Sequence, residues 1–237
     1  MNIDIIISAD YINEDSIKDK VVVVIDMLRA TSVITTAFIN GCKEVIPYLT
    51  VEEAVEKSKE FKKGDCILGG ERKAVKIEGF DLSNSPLEYT EEVVKDKTVI
   101  ITTTNGTRSL TKCKSAKRVF VGAMINGKAV AKKLVEIGED VVIVNAGTNG
   151  QFSMDDFICA GYMINEMLKI SNKLELTDIA KTANYIYENN KGIDNFINSA
   201  RHYGVMKELG LMNDVKYAMK KEITDIVPEY NNGHIVK

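Results

Sequence analysis

Tryptophan is absent from this chain of 237 residues, and histidine, cysteine and proline are scarce, at two, four and three copies. Each shortage excludes something. Cys42, Cys66, Cys113 and Cys159 stand far apart, none in Cys-x-x-Cys spacing and none near a histidine, so a zinc site or a cysteine nucleophile is not expected. Free thiols suit a reducing, cytoplasmic setting. His202 and His234 are too dispersed for a histidine-rich centre, and His234 lies three residues from the C-terminus, where chains are often mobile. Pro47, Pro86 and Pro228 are the only prolines, and no Pro/Gly/Ser linker divides the chain.

Charge and hydropathy exclude further classes. The net charge is −3 and no basic block exists, so nucleic acid is not the expected partner. No apolar run approaches a membrane span, and the opening Met1-Asn-Ile-Asp4 has no signal-peptide character, so no membrane partner is expected. Phosphate-binding fingerprints are missing too: neither a P-loop nor Gly-x-Gly-x-x-Gly occurs, and no Gly-x-Ser-x-Gly elbow marks a serine hydrolase. Asp26 ends a strand as the nucleophile of haloacid-dehalogenase-type phosphatases does, but Leu28 replaces the second aspartate of that pattern.

What is present is alternation. Strand-like runs fall at Ile3–Ile7, Val21–Asp26, Glu44–Ile46, Cys66–Leu68, Val99–Thr102, Arg118–Val121 and Val141–Asn145. Helical patterns fall at Val33–Asn40, Val51–Lys62, Gly127–Ile137 and Asp155–Lys169, with a Thr50–Glu53 capping box before the second. This predicts an α/β fold of three layers, with a mainly parallel or mixed sheet between helices. Beyond about residue 170 the periodicity is helical, at Leu176–Tyr187, Ile193–Phe196 and Asp214–Lys220, with no strong strand. The expected division is an α/β region over 1–170 and a mainly helical region over 171–237 packed on it, or one domain over 1–237.

Three strand-to-helix junctions carry polar residues. The first is Val21-Val-Val-Val-Ile-Asp26-Met-Leu-Arg29-Ala-Thr31-Ser32. The second runs from Thr98 through Thr104-Asn105-Gly106-Thr107-Arg108, and the third from Val141 through Asn145-Ala-Gly147-Thr148-Asn149-Gly150 to Asp155-Asp156. An acid and an arginine at a strand end, facing a helix N-terminus, suit an oxyanion held beside a metal ion. The plain alternative is helix capping and Asn-Gly turns. Acids at the first turn of a helix, as at Asp155-Asp156, are also favoured by its dipole. A long polar stretch, Leu68-Gly-Gly-Glu71-Arg72 to Asn84-Ser85-Pro86, breaks the alternation and places Glu71 and Arg72 at the sheet edge.

These motifs, in order, resemble one family: Ile25-Asp-Met-Leu-Arg-Ala-Thr-Ser32, Gly69-Gly-Glu-Arg72, Gly79-Phe-Asp-Leu-Ser-Asn-Ser-Pro86, Thr103-Thr-Asn-Gly-Thr107, Asn145-Ala-Gly147, Asp155-Asp156 and Ser199-Ala-Arg-His202. Together they are similar to the 2-phosphosulfolactate phosphatases. The resemblance implies a magnesium-dependent phosphatase of α/β architecture that converts 2-phospho-3-sulfolactate to 3-sulfolactate and phosphate, a step toward coenzyme M. From the chemistry of the residues, Asp26, Glu71 and Asp156 are the catalytic candidates, and Asp26, Glu71 and Asp155 the candidate Mg2+ ligands. Arg29, Thr31, Ser32, Arg72, Asn84, Ser85, Thr104, Asn105, Gly106, Thr107, Gly147 and His202 are the substrate-binding candidates, with Arg108 as a further cation. The expected partner is a small polyanionic phosphoester, with self-association an added expectation from the C-terminal helices. Rival readings are another phosphoester on the same scaffold and a non-catalytic sensor of phosphorylated or sulfonated metabolites.

Overall fold

The computed structural model describes residues 1–190 and 192–237. The chain opens with β1 (Asn2–Ile6), α1 (Glu14–Ile17), β2 (Val21–Ile25), α2 (Ala30–Ile39), β3 (Glu44–Tyr48), α3 (Val51–Ser58), β4 (Cys66–Arg72) and β5 (Val75–Lys76). Then come α4 (Glu91–Val94), β6 (Thr98–Thr102), α5 (Gly106–Lys112), β7 (Arg118–Gly122), α6 (Gly127–Ile137), β8 (Val141–Asn145) and α7 (Met154–Ile170). The remainder is β9 (Glu175–Leu176), α8 (Asp178–Asn189), α9 (Ile193–Ile197), α10 (Arg201–Glu208), α11 (Met212–Ala218), β10 (Glu229–Asn231) and β11 (His234–Val236).

The architecture is α/β with one mixed sheet, in the order β5-β4-β6-β3-β11-β10-β7-β2-β8-β1-β9. Two parallel blocks, β4-β6-β3 and β7-β2-β8-β1-β9, are joined by the antiparallel β10–β11 hairpin. Every residue of β2 is buried. Val21, Val23 and Ile25 pack toward α6 and α7, while Val22 and Val24 pack toward α2 and α5. Helices therefore cover both faces, which is why β2 reads as an unbroken apolar run instead of an alternating one. The Thr50–Glu53 capping box forms as expected: Thr50 Oγ1 accepts from Glu53 N–H at 3.1 Å, and Glu53 Oε2 accepts from Thr50 N–H at 3.1 Å.

Beyond residue 170, where the sequence predicts no strong strand, the structure forms the short strands β9, β10 and β11. Strands of two or three residues are too short to show period-two alternation, and tertiary pairing forms them. The hairpin turn is Asn232-Gly233, with φ of +49° and +88°, the left-handed pair that a two-residue turn requires. Glu229 and Tyr230 register against Phe120 and Val119 of β7, and Ile235 registers against Val45 of β3. Among the described residues, no helix is long and apolar enough to cross a membrane.

Ile235 is fully buried at this bridge between the blocks. Ile235→Ala should therefore lower the unfolding free energy by about 2–5 kcal/mol in urea denaturation. A loss below about 1 kcal/mol, the scale of a surface change, would show that the hairpin does not hold the blocks together.

Candidate active site

Parallel strands deliver their carboxyl ends to one edge, and ligands of open α/β sheets bind there. The edge encloses a pocket of about 220 Å3. The β2–α2 connection gives it Asp26, Leu28 and Arg29; β4 gives Glu71, and the β4–β5 turn gives Lys73 and Ala74. Asn84, Thr104, Asn105, Thr148, Asn149, His202 and Val205 complete the lining.

Asp26 follows the last residue of β2, and its Oδ1 accepts only a long hydrogen bond, 3.4 Å, from Ala30 N–H. Its backbone N–H donates to Thr31 Oγ1 at 3.1 Å, and Ser32 Oγ donates to the Met27 carbonyl at 2.8 Å. Thr31 and Ser32 thus fold the loop that presents Asp26 and do not line the pocket themselves. Gly106 permits close approach: a Cβ there would lie 2.5 Å from Ala30 Cβ and 2.7 Å from Asp26 Oδ2. Thr107 closes its own turn, donating its N–H to Thr103 Oγ1 and accepting from Thr103 N–H.

Glu71 is fixed by backbone donors, Oε2 by Ala74 N–H and Oε1 by Thr104 N–H, both at 2.7 Å. Asp156 lies behind the pocket and is engaged at both oxygens, by Met27 N–H at 2.9 Å and Gly147 N–H at 3.0 Å. It ties the β2–α2 loop to the β8–α7 loop. Gly147 has φ +72°, and a Cβ there would meet the Gln151 carbonyl at 2.4 Å. Asp155 accepts from the Ser153 hydroxyl. Asn149-Gly150, with φ of +52° and +76°, makes a tight turn between Thr148 and Gln151, so that Asn-Gly pair is a turn in the ordinary sense.

The acids crowd one another. Burial pushes the Asp26 carboxyl up from 3.8 to about 7, and the negative charges of Asp155 and Glu71 add to the rise; Ala30 N–H and Arg29 oppose it. Burial also holds Asp156 well above the usual carboxylate range, reinforced by Asp155 and Asp26. Among the described residues, no three His, Cys, Asp or Glu side chains close into a metal-binding cluster. The arrangement is open, with one or two carboxylates facing the pocket. The cysteines are unpaired, and burial pushes the thiols of Cys42 and Cys113 up to about 12, so neither is an activated nucleophile.

The three candidate arginines meet different fates. Arg29 is buried and donates to Asp214 Oδ2 at 2.7 Å and to the Ala74 carbonyl at 2.9 Å. Arg72 is turned out of the pocket, donating to the carbonyls of Glu71 and Leu49 and to Thr102 Oγ1. Arg108 is paired with Asp10 at the surface. Asp214 was not legible in the sequence as a site residue. It enters from α11, and its Oδ1 accepts from Ser85 Oγ at 2.7 Å. An acid in the first turn of a helix carries no sign of a distant arginine. Ser85 therefore acts on Asp214 and not on the pocket.

The pocket thus gathers Asp26, Arg29, Glu71, Asn84, Thr104, Asn105 and His202, while Thr31, Ser32, Ser85, Gly106, Thr107, Gly147, Asp155 and Asp156 build the walls behind it. Lys73, Thr148, Asn149 and Val205 also line it and were not singled out beforehand. Thr148 and Asn149 sit in a motif already quoted; Lys73 and Val205 carried no signal.

An open α/β sheet with buried acids and an arginine at its strand ends defines an enzyme of small anionic molecules. The chain belongs to the 2-phosphosulpholactate phosphatase family, whose model matches residues 6–233. It is 66% identical over 237 residues to a protein of Clostridium botulinum (strain Alaska E43 / Type E3) named probable 2-phosphosulfolactate phosphatase, covering 100% of both chains. Proteins with the same name from Clostridium beijerinckii and Clostridium acetobutylicum are 64% and 60% identical, with 99% and 100% of each chain covered.

The Arg29–Asp214 pair joins side chains that are only 2% and 5% exposed. Removing one partner leaves a buried charge unpaired, so Asp214→Ala should destabilise the fold by about 3–5 kcal/mol. Ser85→Ala, which removes one hydrogen bond, should cost about 1–3 kcal/mol. Chemical denaturation of both variants checks the order; an Asp214→Ala loss no larger than that of Ser85→Ala would contradict the pairing.

Proposed function

We propose that the chain hydrolyses the phosphate ester of 2-phospho-3-sulfolactate to 3-sulfolactate and inorganic phosphate, with Mg2+ as cofactor. The observation that carries this reading is the crowding of Asp26 and Glu71, with Asp155 behind them, at a small pocket that also holds Arg29. A phosphate dianion cannot settle beside uncompensated carboxylates, and Arg29 is already balanced by Asp214. A divalent cation resolves the conflict. Mg2+ takes one or two carboxylates and completes its shell with water and phosphate oxygens, and the open acid set fits that demand. Asp26 and Glu71 would hold it, with Asp155 behind. Bound there, Mg2+ would supply charge neutralisation of the phosphoryl oxygens.

The chain's own groups do the rest. Arg29 has two of its five N–H groups engaged and directs the others to phosphoryl oxygens, with its plane fixed by Asp214 and Ala74. Asp26 either takes a proton from the attacking water, or attacks phosphorus itself, displacing the ester oxygen of 3-sulfolactate and leaving an acyl phosphate that water then hydrolyses; both routes need its carboxylate. The pocket, at about 220 Å3, is below the roughly 300–1,000 Å3 of drug-sized sites, which suits a three-carbon acid. A sensor would gain nothing from acids crowded into an anion site, which favours the enzyme reading. The place of this reaction on the way to coenzyme M rests on the family resemblance alone. Unpaired thiols support a cytoplasmic setting, and the acid-lined pocket supports a small phosphoester over nucleic acid as partner. Exposed Tyr185 of α8 and Leu209, just past α10, support a homo-oligomer.

The test is phosphate release from 2-phospho-3-sulfolactate and a panel of small phosphoesters, with and without Mg2+. Fast release from the named substrate only when Mg2+ is present is the expected result; release without any divalent cation would overturn the cofactor, and no release would overturn the reaction. Asp26 adds a second check. Its folded value, about 7, lies above the ordinary 3.8, so its stabilising contribution is full below about pH 4 and is lost as pH rises toward 7. Asp26→Asn does not titrate. In chelator at pH 8 it should melt a few degrees above the parent chain, at about 2–4 °C per kcal/mol, while turnover falls at least about 100-fold. A variant that melts lower at pH 8, or keeps near-normal turnover, would contradict the role given to Asp26.

A further inference from the structure

The proposed substrate carries two anionic groups beyond its phosphate, a carboxylate and a sulfonate, and they too need partners. Arg72 and Arg108 are engaged outside the pocket, and Arg29 belongs to the phosphoryl end. Among the described residues, Lys73 is the pocket-lining cation that makes no ion pair. Its ammonium sits on a flexible stem at the tip of the β4–β5 turn, whose flanks register Glu71 with Lys76 and Arg72 with Val75.

The turn is unusual. Lys73 and Ala74 have φ of +53° and +63°, a left-handed pair normally filled by Asn or Gly. Non-glycine residues are rarely held in that region, and such strain persists where the surroundings over-determine it. Here the surroundings are the site itself: Ala74 N–H donates to Glu71 Oε2, and its carbonyl accepts from Arg29 Nη2. The Lys73 backbone is therefore held at a fixed place relative to the two groups that frame the phosphoryl end. Asn84 lines the same pocket, is 4% exposed, and leaves its Oδ1 without a hydrogen-bond partner. The amide is thus unanchored at its oxygen, and its NH2 is the donor that would meet an oxyanion.

We infer that Lys73, together with the Asn84 amide, forms the subsite for the distal oxyanion of the substrate and sets specificity for phosphoesters bearing a second acid group. This rests on the phosphatase reading above. The shared chemistry is a carboxylate or sulfonate oxygen met by an ammonium and an amide N–H.

The test uses Lys73→Asn, which tolerates the left-handed turn while removing the charge, and Lys73→Arg, which keeps it. The readout is the ratio of kcat/KM for 2-phospho-3-sulfolactate over phenyl phosphate. Lys73→Asn should lower that ratio at least about tenfold, the loss expected for one charge-assisted hydrogen bond, and Lys73→Arg should restore it to within about threefold. A parallel ratio for 2-phospholactate assigns the group: a like fall identifies the carboxylate, and no fall identifies the sulfonate. An unchanged ratio for 2-phospho-3-sulfolactate overturns the subsite. Calorimetric titration with 3-sulfolactate separates the two readings. If the parent chain fails to hydrolyse the ester but binds 3-sulfolactate in a Lys73-dependent way, the subsite stands and the reaction falls; if the parent chain does not bind it, or Lys73→Asn binds it equally well, the subsite falls.

Discussion

Four carboxylates, those of Asp26, Glu71, Asp155 and Asp156, are buried at one edge of the sheet, and like charges at that density resist ionising together. The loops around them are shaped by this constraint. Backbone N–H groups of Ala30, Met27, Gly147, Ala74 and Thr104 are aimed at carboxylate oxygens. Gly106 and Gly147 are glycines because a side chain at either would strike the structure those acids organise. The arrangement keeps the acids in place without neutralising them. Burial, with the negative charges of Asp155 and Glu71 added to it, holds the Asp26 carboxyl far above its ordinary range, and on the reading proposed above a cation is the complement the cluster lacks.

The C-terminal quarter of the chain completes what the first three-quarters begin. The β10–β11 hairpin occupies the centre of the sheet. α10 brings His202 and Val205 to the pocket, and α11 brings Asp214 to Arg29. A buried arginine without that partner would carry an uncompensated charge. With it, the guanidinium is held at both Nη atoms and faces the pocket as a rigid fork, which links the stability of the C-terminal helices to the geometry of the site.

The sheet was legible because its central strands are continuous aliphatic runs ended by polar turns, as at Val21–Asp26 and Val141–Asn145. Helix α6 matches its expected span, Gly127–Ile137, because its apolar spacing is regular and a glycine ends it. α3 stops at Ser58, short of the expected Lys62, since the exposed last turn has little to bury. The short strands were not legible, although Asn232-Gly233 offered a turn signal between two brief runs. In the site, Asp26, Glu71 and Arg29 could be singled out because strand-ending polar residues share one edge in any parallel sheet. Arg72 could not be told from Glu71 by sequence: adjacent residues on a strand point to opposite faces, and only the fold decides which faces the pocket. Asp214 and Lys73 were hidden for a different reason, since a surface-type residue becomes part of a site only when distant chain segments meet.

The central claim is that the acid cluster is built for a cation and that Asp26 gives up its proton to receive it. Metal binding to a protonated ligand releases that proton. Calorimetric titration of the enzyme with Mg2+ in buffers of different ionisation enthalpy measures the release directly. The account predicts Mg2+ binding with a clear proton release at about pH 6, where Asp26 is largely protonated, fading at about pH 8, where it has already ionised. Absence of Mg2+ binding, or binding at about pH 6 with no proton released, would contradict it.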